Sequence, residues 1–154
     1  MTGTDRRQMK SASRLYAVQA LFQMEASDQT LDEVRQQFID HRFGAEMAEG
    51  QMADGNVNLF ESLIFEAVNS QAKIDQMTDK ALVAKWPIDR IDPTLRALFR
   101  AAGAELVLGK TPPRVAISEY VDVAKAFFPE GREANFVNAV LDHMARAINP
   151  EAFA

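Results

Sequence analysis

The chain has no cysteine among its 154 residues, so neither disulfides nor thiolate metal sites are open to it. That fits a reducing compartment, and a cytoplasmic location is expected. It has only two histidines, His41 and His143, far apart and outside any HExxH spacing. No metal or cofactor is therefore expected. Long apolar runs are missing as well. Nothing approaches the ~20 residues that a membrane crossing needs, and Met1–Ser13 is polar and basic, unlike a signal peptide. There is no sustained period-2 alternation, no hairpin dipeptide between apolar runs and no internal repeat. What remains is 47% hydrophobic and 25% charged, the balance of an ordinary globular protein. One domain over residues 1–154 is expected, long enough to bury roughly two-thirds of the surface of its unfolded chain.

Almost every segment instead carries the helical period. Leu15, Val18, Leu21 and Phe22 open the pattern, with Ala12, Ala17 and Ala20 as strong helix formers around them. Thr30 and Glu33 have capping-box spacing and predict a second helix. Residues 43–56 hold Gly44, Gly50 and Gly55 without an apolar stripe and read as a loop. A third helix is expected over residues 58–70 and a fourth over 72–85, stopped by Trp86-Pro87. Asp92-Pro93 pairs a favoured N-cap with a favoured first helical residue, and Leu95, Leu98, Phe99, Ala102 and Leu106 follow on one face. Thr111-Pro112-Pro113 breaks that helix. The next, over 114–128, has an apolar arc of about 160°, which predicts a central position with neighbours on two sides. A last helix is expected over 133–149, after Pro129-Glu130-Gly131. The fold class is all-α, with about seven helices.

Catalytic patterns are weak. Gly109-Lys110-Thr111 looks like the tail of a phosphate-binding P-loop, but Gly103 is one residue too far upstream, a helix rather than a strand precedes it, and Pro112 follows. Asp89 and Asp92 are near each other, yet Asp92 already has a capping role. No nucleophile elbow or dinucleotide fingerprint is present, and no enzyme activity is expected. Arg100 and Glu105, outside and at the edge of their helix's apolar stripe, are expected to be paired or solvated.

Charge is the informative feature. Residues 1–14 carry Arg6, Arg7, Lys10 and Arg14 against one acid, Asp5, whereas the other 140 residues carry thirteen bases and twenty-one acids. Such an asymmetry is a mark of a nucleic-acid or anionic-surface contact, against the plainer reading of a solvated terminus. With a helix reaching back to residue 7, Arg7, Lys10 and Arg14 share one face and can track phosphates. Unpaired bases also need exposed planar groups to stack on. Phe136 lies about 100° from the centre of the last helix's core stripe of Val137, Val140, Leu141, Met144 and Ile148, beside Asn135 and Asn138. From periodicity it is either a partly exposed ring or an edge of the core.

Four blocks in order resemble one family. RLYAVQALFQME (Arg14–Glu25) is similar to the opening of the NusB family of transcription antitermination factors, whose basic stretch precedes an AVQALY-like core. LFRAAGAEL (Leu98–Leu106) resembles that family's LRxAxYEL helix, RVAISEYVDVAKAFF (Arg114–Phe128) its VAINEAxxLAKxF helix, and NFVNAVLD (Asn135–Asp142) its KFVNGVLD signature. The resemblance implies an all-helical, NusB-like fold of two packed subdomains, preceded by a flexible basic arm over residues 1–9, and no catalysis. It implies binding of boxA-type single-stranded RNA together with NusE, a small-subunit ribosomal protein. Other Nus factors and RNA polymerase are indirect partners, with antitermination notably in ribosomal RNA operons. A homodimer that hides the RNA face is compatible with it; a membrane partner is not expected.

Carried over by position, the basic contacts map onto Lys10, Ser11 and Arg14, with Arg6 and Arg7 upstream, and the aromatic contact onto Phe136. The chain departs from the family pattern in several places. Ser11, Ala12 and Ser13 dilute the basic cluster, Ser118 and Ala139 stand where Asn and Gly are frequent, and Arg132 is an extra cation before the last helix. If Arg132 faces the side of Phe136, it offsets the weaker cluster. The NusE-binding face is not assigned to residues. Two other readings are a helical protein–protein adaptor without RNA contact and an RNA-binding domain of the kind fused to RNA methyltransferases. Against the latter, the chain stops soon after Pro150, without room for a cofactor domain.

Overall fold

The structure, a computed structural model, describes all residues except 1–2, 44–45, 48–49, 52–54, 83–90 and 154, and only the backbone of 3–4, 46–47 and 50–51. Seven α-helices stand among the described residues: α1 Gly3–Ala26, α2 Leu31–His41, α3 Val57–Asn69, α4 Gln71–Ala81, α5 Pro93–Leu108, α6 Pro113–Phe127 and α7 Arg132–Ile148. A 3₁₀ turn, Pro150–Phe153, follows. None of these helices is long and apolar enough to cross a membrane.

The local signals act as chemistry requires. The Thr30 hydroxyl accepts the Glu33 N–H at 3.2 Å, and the Glu33 carboxylate accepts the Thr30 N–H at 3.4 Å. Asp92 accepts from the Thr94 N–H at 2.7 Å, with Pro93 as the first residue of α5. Gly109 ends α5 at φ 70°, a left-handed conformation that favours glycine.

Three expectations need correction. The basic start, expected as an arm, is helical from Gly3, because the helix-forming run of α1 continues back through Met9. The fourth helix ends at Ala81, with Leu82 as its extended C-cap; the expected Trp86-Pro87 stop and Asp89 lie outside the described residues. Within the expected 43–56 loop, Glu46–Met47 pairs antiparallel with Gly50–Gln51, too short a ladder for alternation to announce.

The centre of the bundle is α5 rather than α6. It packs against α1, α3, α4, α6 and α7. Ala97, Ala101, Ala102, Gly103 and Ala104 are all buried, and their small side chains admit neighbours on every side. Gly103 shows how close they come: a Cβ there would collide with Ile74 of α4. Helix α6 has neighbours in α1, α5 and α7, as its broad arc predicts, but Val115, Ser118, Asp122 and Lys125 remain exposed. On one side of α5, helices α1, α2 and α3 close over Tyr16, Phe38, Phe43 and Phe60, with Tyr16 stacked on Phe43 at 4.8 Å. On the other, α4, α6 and α7 pack over Ile74, Leu141 and Met144.

Candidate nucleic-acid interface

Two ion clusters set the direction of α1 against α5. Arg14 lies opposite Glu105, near the end of α5, and Glu25, near the end of α1, meets Arg96 and Arg100 near the start of α5. The two helices are therefore antiparallel. Arg100 also grips Asp75 of α4 through two hydrogen bonds of 3.0 and 2.9 Å. Arg100 and Glu105 are paired, as expected.

Arg14 is not available to a ligand as the sequence reading required. Its residue is 4% exposed, and its Nε and Nη2 donate to the Glu105 carboxylate at 2.9 and 2.8 Å while Nη1 donates to Glu119 at 3.0 Å. The Tyr120 hydroxyl adds a 2.9 Å hydrogen bond to Glu105. Ser11, half-buried, donates its hydroxyl to Glu119 at 3.1 Å, so it too belongs to this cluster. Burial works against charge on both members of the main pair. Their mutual hydrogen bond and attraction win, holding the Arg14 guanidinium above and the Glu105 carboxyl below their ordinary values. Burial, with the Glu105 charge second, pushes the Tyr120 phenol well up, so it stays a neutral donor.

The physical reason that Arg14 sinks while its face-mates do not is one of helix length. At the level of Arg14, this face of α1 looks into the groove between α5 and α6. Lys10 lies about 6 Å and Arg7 about 10 Å nearer the start of α1, at 1.5 Å per residue. There α5 has ended at Leu108, and only α6, whose Glu119 bonds Ser11 from well inside the helix, still flanks α1. Arg6, Arg7 and Lys10 are exposed, and their side chains have no ion pair or hydrogen bond with any described residue. Lys10 borders an open hollow of about 270 Å³, whose wall also carries Asn58, Ser62, Lys110 and Thr111 and whose floor is the Arg14–Glu105 pair. The sequence reading did not count Lys110 among the site residues. Its only signal was the discarded Gly-Lys-Thr match.

A second patch lies at the start of α7. Phe136 is 37% exposed and rests edge-on against the buried Phe99 ring, 6.1 Å between centroids. It is thus both an edge of the core and an accessible ring. Arg132 is exposed one turn before it, at the i, i+4 spacing that puts both on one face. The structure does not join this patch to the basic one. Phe99 is on the turn of α5 beside Arg100, so Phe136 lies about 15–20 Å along the bundle from Lys10 and Arg7 by helix rise. Near the same end as Phe136, Val18, Phe22, Phe38 and Phe127 line an apolar hollow of about 380 Å³, and Phe22 is 39% exposed.

Comparison with known proteins gives a single direction. The model of the NusB family matches residues 11–146. The chain is 42% identical to the transcription antitermination protein NusB of Maricaulis maris over 150 residues, covering 97% of this chain and 93% of that protein. It is 43% identical to the protein of the same name from Granulibacter bethesdensis, covering 94% and 92%. Among solved structures, T. maritima NusB superposes with a TM-score of 0.74 at 27% identity, covering 99% of both chains. A crystal structure of antitermination factors NusB and NusE in complex with dsRNA matches with a TM-score of 0.73 at 22% identity, covering 95% and 99%.

Proposed function

The chain belongs to the NusB family, a family of non-catalytic transcription antitermination factors, and from that premise we propose that it binds boxA-type single-stranded RNA jointly with NusE. The complex assembles with other Nus factors on RNA polymerase and opposes termination, notably in ribosomal RNA operons, in the cytoplasm. Arg6, Arg7 and Lys10 contact phosphates, Phe136 stacks on a base, and Arg132 supports it. Ser11 and Arg14 act behind these contacts by fixing the start of α1.

The observation that carries this reading is the clustering of exposed, unpaired cations over the first turns of α1, whereas other unpaired cations, such as Lys73, Lys80 and Lys125, stand scattered. Arg14, Arg35, Arg96, Arg100 and Arg146 all find carboxylates within the bundle. In an acidic protein of net charge −5, Arg6, Arg7 and Lys10 find none among the described residues. Free cations along one helix end are suited to a polyanion. An accessible ring beside Arg132 supplies what an unpaired base needs. The separation of the two patches calls for an extended strand of several nucleotides. The solved complex of a NusB with NusE and RNA supports the pairing of partners.

A protein adaptor without RNA contact is the second reading, favoured by the apolar hollow around Phe22. Fluorescence anisotropy separates the two. A labelled boxA-type RNA and a scrambled control are titrated with and without NusE. Preference for the boxA-type strand, tightened by NusE and weakened by Phe136→Ala, is the expected result. Binding of NusE with neither RNA retained would leave the adaptor.

A further inference from the structure

We propose that Lys110, in the turn between α5 and α6, is a further RNA contact, and that the hollow it shares with Lys10 seats a phosphodiester group of the bound strand. This rests on the RNA-binding reading above and adds to it a residue and a place. Because α1 and α5 are antiparallel with Arg14 opposite Glu105, stepping one turn outward on each helix brings Lys10 level with Gly109. Lys110 follows at once. Both lysines line the hollow, both are exposed, and neither side chain is paired with any described residue.

The surroundings admit an anion. Glu105, the one carboxylate in the wall, is already met by Arg14 and Tyr120, and the second carboxylate on Arg14, Glu119, is not among the residues of the wall. Two unpaired cations therefore face the opening. The exposed side chains of Asn58 and Ser62, from the start of α3, offer hydrogen bonds across from the lysines. With Arg6 and Arg7 one turn farther along α1, the cations form a line rather than a point, the arrangement that follows a polymer backbone. The resemblance of Gly109-Lys110-Thr111 to a P-loop has a different explanation here. Gly109 terminates a helix, and Thr111 lines the wall of the hollow beside Glu105, so the lysine alone supplies a charge to a ligand.

The test is a salt series of anisotropy titrations with labelled boxA-type RNA and NusE. It uses the unaltered protein, Lys110→Gln, Lys110→Arg, Phe136→Ala and, as a remote control, Lys125→Gln in the last turn of α6. Losing one single-strand phosphate contact lowers the slope of log K against log salt by about 0.7, which is roughly fivefold in affinity between 1 M and 0.1 M salt. Lys110→Gln is expected to show both changes, with Lys110→Arg close to the unaltered protein and Lys125→Gln unchanged. Unchanged affinity and slope in Lys110→Gln, with Phe136→Ala still weakened, would overturn the Lys110 contact and leave the RNA-binding reading standing. Equal losses in Lys110→Gln and Lys125→Gln would also overturn it, since a diffuse field would then suffice. No binding by the unaltered protein would remove the RNA-binding reading itself.

Discussion

Arg7 and Arg14 sit two turns apart on one face of the same helix and have opposite fates. Arg14 is enclosed by two carboxylates; Arg7 stands in solvent with no partner among the described residues. Periodicity decides which way a side chain points, but how deep it lies depends on whether a neighbouring helix is still present at that level. Here α5 stops between the levels of the two arginines, three residues beyond the Glu105 that Arg14 meets. Helix ends thus divide one basic stripe into an internal brace and an external ligand surface.

The contrast can be broken most strongly at Arg14. Arg14→Met leaves Glu105 as a buried, unpaired carboxylate, and about 3–5 kcal/mol of stability is expected to be lost in denaturant unfolding. Arg7→Gln should not shift the midpoint measurably. A double variant, Arg14→Met with Glu105→Leu, should recover much of the loss, because the cost lies in the orphaned charge.

Acid should make the same break more gently. The folded Glu105 carboxyl is held below its unfolded value, so the folded state binds fewer protons and the pair's contribution is complete above the unfolded value. That contribution disappears as pH falls through the folded value. Unfolding midpoints measured from neutral pH downward should drop below about pH 4.3, and the acid-dependent part should be smaller in the Arg14→Met, Glu105→Leu pair.

At the other patch, Phe136→Ala is expected to weaken RNA binding by about 1–3 kcal/mol, the worth of a stacked base. The salt slope should barely change, because no charge is removed. Arg7→Gln should do the reverse, costing roughly fivefold at 0.1 M salt with a slope smaller by about 0.7. Equal salt slopes for the two variants would mean that the basic start and Phe136 do not divide the work as proposed.

Much of this was legible in the residues. Thr30-Glu33, Asp92-Pro93 and the Pro112-Pro113 break mark helix boundaries because caps and prolines act locally, and the helical start of α7 at Arg132 fell within a residue of its expected place. The centrality of α5 was hidden. Its burial comes from alanines and a glycine that let neighbours approach, and a hydrophobic arc measures apolarity rather than closeness. Arg14 was misjudged for a similar reason. Its carboxylate partners are 91 and 105 residues away, a distance no local pattern spans. The better clue was Glu105 itself, an acid set within Ala101-Ala102-Gly103-Ala104-Glu105-Leu106, where a charge demands a counter-ion. Lys110 carried no signal beyond its neighbours, since only the antiparallel setting of α1 and α5 brings it to Lys10.

The Arg14 cluster also sets an order of events during synthesis. Helix α1 leaves the ribosome before the other six described helices, but the acids that neutralise its inward-facing cation follow 91 and 105 residues later. At roughly 5–20 residues per second, about 5–20 s pass before Glu105 and Glu119 exist to receive it. Until then the face of α1 that carries Arg14 cannot dock without burying an unmatched charge, although Tyr16 already has Phe38 and Phe43 to pack on. The Arg14 face of α1 is therefore among the last to settle, and it closes only when α6 emerges.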